Sequence, residues 1–152
     1  SLMKTDPIAR KKFTILAQTD GAKSEAFLDE WVSALPKSAE PLRKQGTIKL
    51  TNKQYESAST LFEKASKLNP NDAISLNNLA WLYQQKNDKR AEEAAKRAHE
   101  IAPNNAAIKD TYGWILSLNG KKTKAINLLE DALKLAPNDN EIKLHLEQAK
   151  LK

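Results

Sequence analysis

Apolar and polar positions along this chain follow the three- and four-residue steps of helices that each bury one face. Leu76, Leu79, Ala80 and Tyr83 share such a face. After the polar break Lys86-Asn87-Asp88, a second face runs through Ala91, Ala94, Ala95, Ala98 and Ile101. This couplet recurs. Pro36, Pro70, Pro103 and Pro137 are spaced 34, 33 and 34 residues apart, a period that signals stacked structural repeats. Three of them sit in near-identical strings: Leu68-Asn69-Pro70-Asn71-Asp72, Ile101-Ala102-Pro103-Asn104-Asn105 and Leu135-Ala136-Pro137-Asn138-Asp139. Proline lacks an N–H and clashes one turn back, so it cannot continue a helix. The Asn or Asp behind it can cap the orphan N–H groups of the next one. Each string is therefore predicted to be a stop followed by a start, and each period a helix, a turn and a helix.

Matched positions of these units hold small residues: Gly46, Ala80 and Gly113 in the first helix, then Ala58, Ala91, Ala125 and Ala65, Ala98, Ala132 in the second. Small side chains are needed where two helices approach closely. Phe62, Ala95 and Leu129, also at one matched position, fill the layer between them. A degenerate unit precedes these. Asp20-Gly21 marks its turn, and Phe27, Leu28, Trp31 and Leu35 form the apolar face of its second helix, but Lys12 stands where a small residue is expected. After Pro137 one more helix is predicted, with Ile142, Leu146 and Ala149 on one side and Glu141, Lys143, Glu147 and Lys150 on the other. A half-polar helix of this kind caps an exposed end.

These phased prolines and small residues resemble the tetratricopeptide repeat (TPR) family across nearly the whole chain. The resemblance implies an all-α fold, a right-handed α-solenoid of four helix-turn-helix repeats plus a C-terminal capping helix. The single domain 1–152 then divides into repeats of about 5–38, 39–72, 73–105 and 106–139 with the cap at 140–152. The strings Asn77-Asn78-Leu79-Ala80-Trp81-Leu82-Tyr83 and Asp110-Thr111-Tyr112-Gly113-Trp114-Ile115-Leu116 resemble, closer still, the bacterial TPR lipoproteins of exosortase (PEP-CTERM) and exopolysaccharide systems. That resemblance implies the bacterial periplasm or cell envelope; without it the cytoplasm is expected. Ser1-Leu2 before Met3 reads as an expression scar, and the chain as a piece of a longer protein.

Composition narrows the partners. The 152 residues carry a net charge of +6, and 21 of the 25 basic residues are Lys, the solubilising point charge rather than the planar fork that reads phosphates and bases. Nucleic acid is kept only as a lesser alternative. No apolar run approaches the roughly 18 residues of a membrane span, and the absence of cysteine removes disulfides and thiolate chemistry.

In the TPR family the first helix of each repeat lines the concave face. The resemblance thereby places Asp6, Ala9, Arg10, Phe13 and Leu16, then Glu40, Arg43, Lys44, Thr47 and Leu50, on a groove. It continues with Ile74, Asn77, Asn78, Trp81, Gln84 and Gln85, with Ala107, Asp110, Thr111, Trp114 and Ser117, and with Glu141, Leu144, His145 and Gln148. Arg43, Lys44, Asn77, Asn78, Trp81, Gln84, Asp110 and Trp114 are the candidate peptide-binding residues. Asn amides present a donor and an acceptor to a peptide backbone, and Trp rings bury area beside them. Trp81 and Trp114 form either a ligand shelf or packing against neighbouring helices. The carboxylate clamp of chaperone-binding TPR domains is not expected, because Thr47, Ala107 and Thr111 stand in for its other members beside Arg43 and Asn78.

Catalytic chemistry finds no foothold. Gly113 to Gly120-Lys121-Lys122-Thr123 has the wrong spacing for a phosphate loop. His99, among Lys96, Arg97 and Glu100, reads as a surface residue; His145 lies 46 residues away with no third ligand in phase, so no metal site is expected. Glu92 and Lys96 read as an i,i+4 pair. The expected function is a non-catalytic scaffold, without cofactor, that holds a peptide or protein segment in its groove. The alternative is a structural segment of a longer envelope solenoid.

Overall fold

The computed structural model describes residues 5–151; Ser1-Leu2-Met3 and the last residue of the expected cap, Lys152, lie outside them. The described residues form nine helices and no strand: α1 (Asp6–Thr19), α2 (Gly21–Ala34), α3 (Ala39–Thr51), α4 (Tyr55–Leu68), α5 (Ala73–Gln85), α6 (Arg90–Ile101), α7 (Ala106–Leu118), α8 (Lys122–Leu135) and α9 (Asn140–Leu151). This is the all-α class of helical hairpins that the repeat implied. The chain divides into two units, Ser1–Pro70 with α1–α4 and Asn71–Lys152 with α5–α9.

Each proline acts on the residue before it. Proline disfavours the helical conformation of its predecessor. Leu35, Asn69, Ala102 and Ala136 accordingly leave the helix with φ between −135 and −130° and ψ between 68 and 93°. Each still donates its N–H four residues back, to Trp31, Ala65, Ala98 and Ala132. The expected caps form at three of the four starts. Asp72, Asn105 and Asp139 accept from the backbone N–H of Ser75, Ile108 and Ile142. At α3 the capping position is Ser38, whose buried hydroxyl makes no hydrogen bond among the described residues.

The turns inside the repeats share another device. Lys53, Asn87 and Gly120 adopt φ of 58, 54 and 75°. Their N–H groups bond to Leu50, Gln84 and Ser117, and the next N–H in each case bonds five residues back, to Lys49, Tyr83 and Leu116. This double closure satisfies carbonyls that a helix end leaves orphaned. The first hairpin lacks it: Asp20 alone joins α1 to α2, ending one helix through its N–H to Leu16 and capping the other through its carboxylate to Lys23.

Packing follows the matched small and large positions. A Cβ added to Gly46 would lie 2.9 Å from the Phe62 ring, so glycine is what lets α3 and α4 close. Ala58, Phe62 and Ala65 are fully buried in the first unit, and Ala95, Ala98, Ala125, Leu129 and Ala132 in the second. The first hairpin is built in a different register. Lys12 is exposed and lays its ammonium over Phe27 at 4.3 Å. Ala9, three residues earlier, supplies the fully buried small residue and clusters with Phe27, Leu28 and Trp31. Trp31 is fully buried and donates Nε1–H to Asp6 at 2.9 Å. On α9, Ile142, Leu146 and Ala149 are buried and the charged side is exposed.

Candidate functional site

In the second unit α5 packs beside α7, and α7 beside α9. The first helices of successive hairpins thus lie side by side. Asn77, Asn78, Trp81 and Gln84 on α5, and Thr111 and Trp114 on α7, are all half-buried. Helical spacing makes the array: residues three and four apart share a face, so Asn77 and Asn78 stand one turn before Trp81, and Asp110 one turn before Trp114. Asn77 Oδ1 is buried without a hydrogen-bond partner among the described residues.

Asp110 is more enclosed than a groove residue, at 7% exposure. Both its carboxylate oxygens meet Nδ1 of His145 on α9, at 2.9 and 3.0 Å. The His145 imidazole also lies flat on Trp114, ring centroids 4.5 Å apart and planes 12° from parallel. One face of this indole is therefore occupied by the protein itself. Glu141 stands one turn before His145, and one ligand atom from each of Asp110, Glu141 and His145 lies within 4.8 Å of the others. The sequence expectation of no third ligand in phase compared only the two histidines; the partners come from a carboxylate on the same helix and one on the neighbouring helix. The spacing Glu141-x-x-x-His145 was the readable half of that signal.

Arg43 and Lys44 belong to the first unit, on α3, where both are half-buried. Lys44 stands over the Phe13 ring at 4.5 Å and 3.8 Å from Glu40. Burial holds its ammonium below the usual lysine pKa, an effect that Glu40 opposes. Arg10 grips Glu40 through Nε at 2.8 and 3.0 Å and through Nη2, and that hydrogen bond raises the guanidinium pKa. Two residues expected on the groove are instead core: Ala9 is fully buried and Ser117 is 5% exposed. Ala9 is displaced there by the altered register of the first hairpin.

His99 is not a surface residue. It is half-buried with its ring 5.8 Å from that of Tyr112 on α7, and its Nδ1 is buried without a hydrogen-bond partner among the described residues. Helix periodicity alone did not show that α7 closes over this side of α6. Glu92 likewise departs from the intrahelical pair expected with Lys96. It accepts from Asn119 at 2.9 Å and from Lys121, tying α6 to the turn between α7 and α8, and these bonds lower its carboxyl pKa. Lys96 pairs with Glu100 at 3.7 Å. No described helix is long and apolar enough to cross a membrane.

Comparison with known proteins places this geometry. Sequence models described as tetratricopeptide repeat match residues 44–72 and 107–139, and a further one residues 61–96, together more than half of the chain. The TPR repeat-containing protein PA4667 of Pseudomonas aeruginosa is 34% identical over 79 residues, 51% of this chain; the match spans 13% of that protein's length. Among solved structures, MamA (41 to the end) from Desulfovibrio magneticus RS-1 superposes with a TM-score of 0.77 at 20% identity, over 99% of this chain and 86% of that one. The first TPR of Spaghetti (RPAP3), bound to the HSP90 peptide SRMEEVD, gives 0.68 at 20% identity, over 75% of this chain and 91% of the other. These two likenesses are of fold.

Proposed function

Because the chain belongs to the tetratricopeptide repeat family, we propose that it is a non-catalytic interaction scaffold whose second unit binds an extended peptide or protein segment along α5 and α7. The observation that carries the reading is the row of half-exposed amide and indole side chains, Asn77, Asn78, Trp81 and Trp114, on adjacent first helices. Amides fix the register of a peptide backbone through paired donor and acceptor groups, and indoles bury apolar area beside it. Asn78 and Trp81 carry most of the binding in this reading, because the Trp114 ring already has His145 on one face. Arg43 and Lys44 on α3 lie in the first unit and are a separate candidate face for an acidic segment. The peptide-bound Spaghetti domain supports a peptide as the kind of partner.

The test is a peptide array, or a pull-down followed by titration of the captured segment, comparing the wild-type chain with Asn78→Ala/Trp81→Ala. Hot-spot aromatic positions lose about 2 kcal/mol or more on truncation, roughly thirtyfold in affinity. Undiminished binding by a double variant with an unchanged circular dichroism spectrum would remove the α5 face from the account. Binding lost in Arg43→Ala/Lys44→Ala but kept in that double variant would move the site to the first unit.

A further inference from the structure

The geometry points to a divalent transition-metal site of the Zn²⁺ class formed by Asp110, Glu141 and His145, a site distinct from the peptide-binding role proposed above. The three donors converge from two packed helices, with one ligand atom of each within 4.8 Å of the other two. The imidazole nitrogen sits 2.9 and 3.0 Å from the two Asp110 oxygens. Tetrahedral ligands about 2.1 Å from one ion have donor atoms about 3.4 Å apart. An ion that takes the place of this hydrogen bond parts the His145 and Asp110 donors by about half an ångström, a movement that side-chain rotation supplies.

Charge favours a cation here. Asp110 is 7% exposed, and among the described residues its side chain has no partner except His145. Glu141 brings a second carboxylate to the same place and has no ion pair among the described residues. The nearest lysine in sequence, Lys109, is engaged elsewhere, 3.9 Å from Asp131. Trp114 completes the arrangement: its flat stack on the imidazole fixes the ring plane, the orienting job that groups behind metal ligands perform. One imidazole nitrogen with two carboxylate oxygens suits a borderline ion such as Zn²⁺, Co²⁺ or Ni²⁺ better than Mg²⁺ or Ca²⁺, which favour all-oxygen shells. Glu141 is exposed, which leaves coordination positions on that side open to water.

The experiment uses the tag-free full chain stripped with a chelator. Zn²⁺ is titrated by calorimetry, and Ni²⁺, whose open d shell quenches a nearby indole, by tryptophan fluorescence. The expected result is one-to-one binding, Ni²⁺ quenching that excess Zn²⁺ reverses and excess Mg²⁺ does not, and a loss of more than about tenfold in affinity in both Glu141→Gln and His145→Gln. His99→Gln keeps wild-type affinity. Glu141 is exposed, so its variant tests the site even if His145→Gln disturbs folding. No saturable binding up to about 1 mM would leave the cluster as an Asp110–His145 hydrogen bond and overturn the proposal. Wild-type affinity in either ligand variant would overturn it as well, as would loss of binding in His99→Gln.

Discussion

Gly113 lies so close to Leu129 that a Cβ on the glycine would stand 2.8 Å from the leucine Cγ and 3.2 Å from the Ala125 carbonyl oxygen. The two residues occupy the matched positions that hold Ala80 and Ala95 one repeat earlier, both fully buried. Space removed on one helix is added on the other. Replacing a mid-helix glycine by alanine gains about 1 kcal/mol of propensity, whereas overpacking a tight contact costs about 1–3 kcal/mol. Gly113→Ala is expected to destabilise the chain by roughly 1 kcal/mol net, read by urea denaturation. Leu129→Ala makes room, so the two changes together are expected to fall short of their sum in a double-mutant cycle. Strict additivity would mean that the pair is not in contact.

Turn chemistry gives a prediction of opposite sign. Lys53 and Asn87 hold positive φ, where glycine stands in the last repeat at Gly120. The left-handed region costs an L side chain about 1–2 kcal/mol, least for Asn, which tolerates it. Lys53→Gly is expected to stabilise by about 0.5–1 kcal/mol, Asn87→Gly by less, and Gly120→Ala to destabilise by about 1 kcal/mol. Thermal melts of the three variants check the order.

The tryptophans should separate sharply. Trp31 is fully buried and hydrogen-bonded to Asp6, whereas Trp81 and Trp114 are half-exposed. Trp31→Ala is expected to cost about 3–5 kcal/mol, and Trp81→Ala and Trp114→Ala markedly less. Equal costs at all three positions would mean that the α5 and α7 indoles are core.

His99 gives stability a pH dependence near neutrality. Burial, and then the positive charges of Lys109 and Lys124, hold its pKa below the usual 6.5, with Glu100 pulling the other way. Just below pH 6.5 the unfolded chain binds more proton at this site than the folded one, so stability rises with pH there. The contribution is complete above the unfolded pKa and lost as pH falls through the folded one. His99→Gln is expected to flatten the stability profile between about pH 5 and 7. The lowered carboxyl pKa values of Asp20, Asp88, Glu92 and Asp131 act in a different window, below about pH 4.5. An unchanged profile in the variant would remove His99 as the titrating group.

The helices, their stops and most of the core were legible because each depends on local chemistry that recurs in register. Pro36, Pro70, Pro103 and Pro137 disfavour the helical state of their neighbours wherever they occur, and Asp72, Asn105 and Asp139 cap from fixed offsets. What escaped depends on helix against helix. His99 was read as exposed because periodicity describes one helix, whereas its cover comes from Tyr112 on another. Glu92 chose Asn119 and Lys121 over a neighbour on its own helix for the same reason. Asp110, Glu141 and His145 meet only once α7 and α9 are side by side. The strings that suggested an exosortase lipoprotein are occupied largely by packing: Leu79, Ala80, Leu82 and Tyr83, then Tyr112, Gly113, Ile115 and Leu116, are all buried. Residues chosen to fill a layer identify the repeat and carry little about the system in which it works.

A junction made the same way each time can be spliced. Removing residues 104–137 would set Pro103 against Asn138-Asp139 and recreate, letter for letter, the Pro70-Asn71-Asp72 boundary already in the chain. The backbone angles that Ala102 and Ala136 share mean that the new seam would ask nothing unfamiliar of the polypeptide. Lengthening or shortening such a molecule by whole repeats thereby leaves the chemistry of its junctions intact.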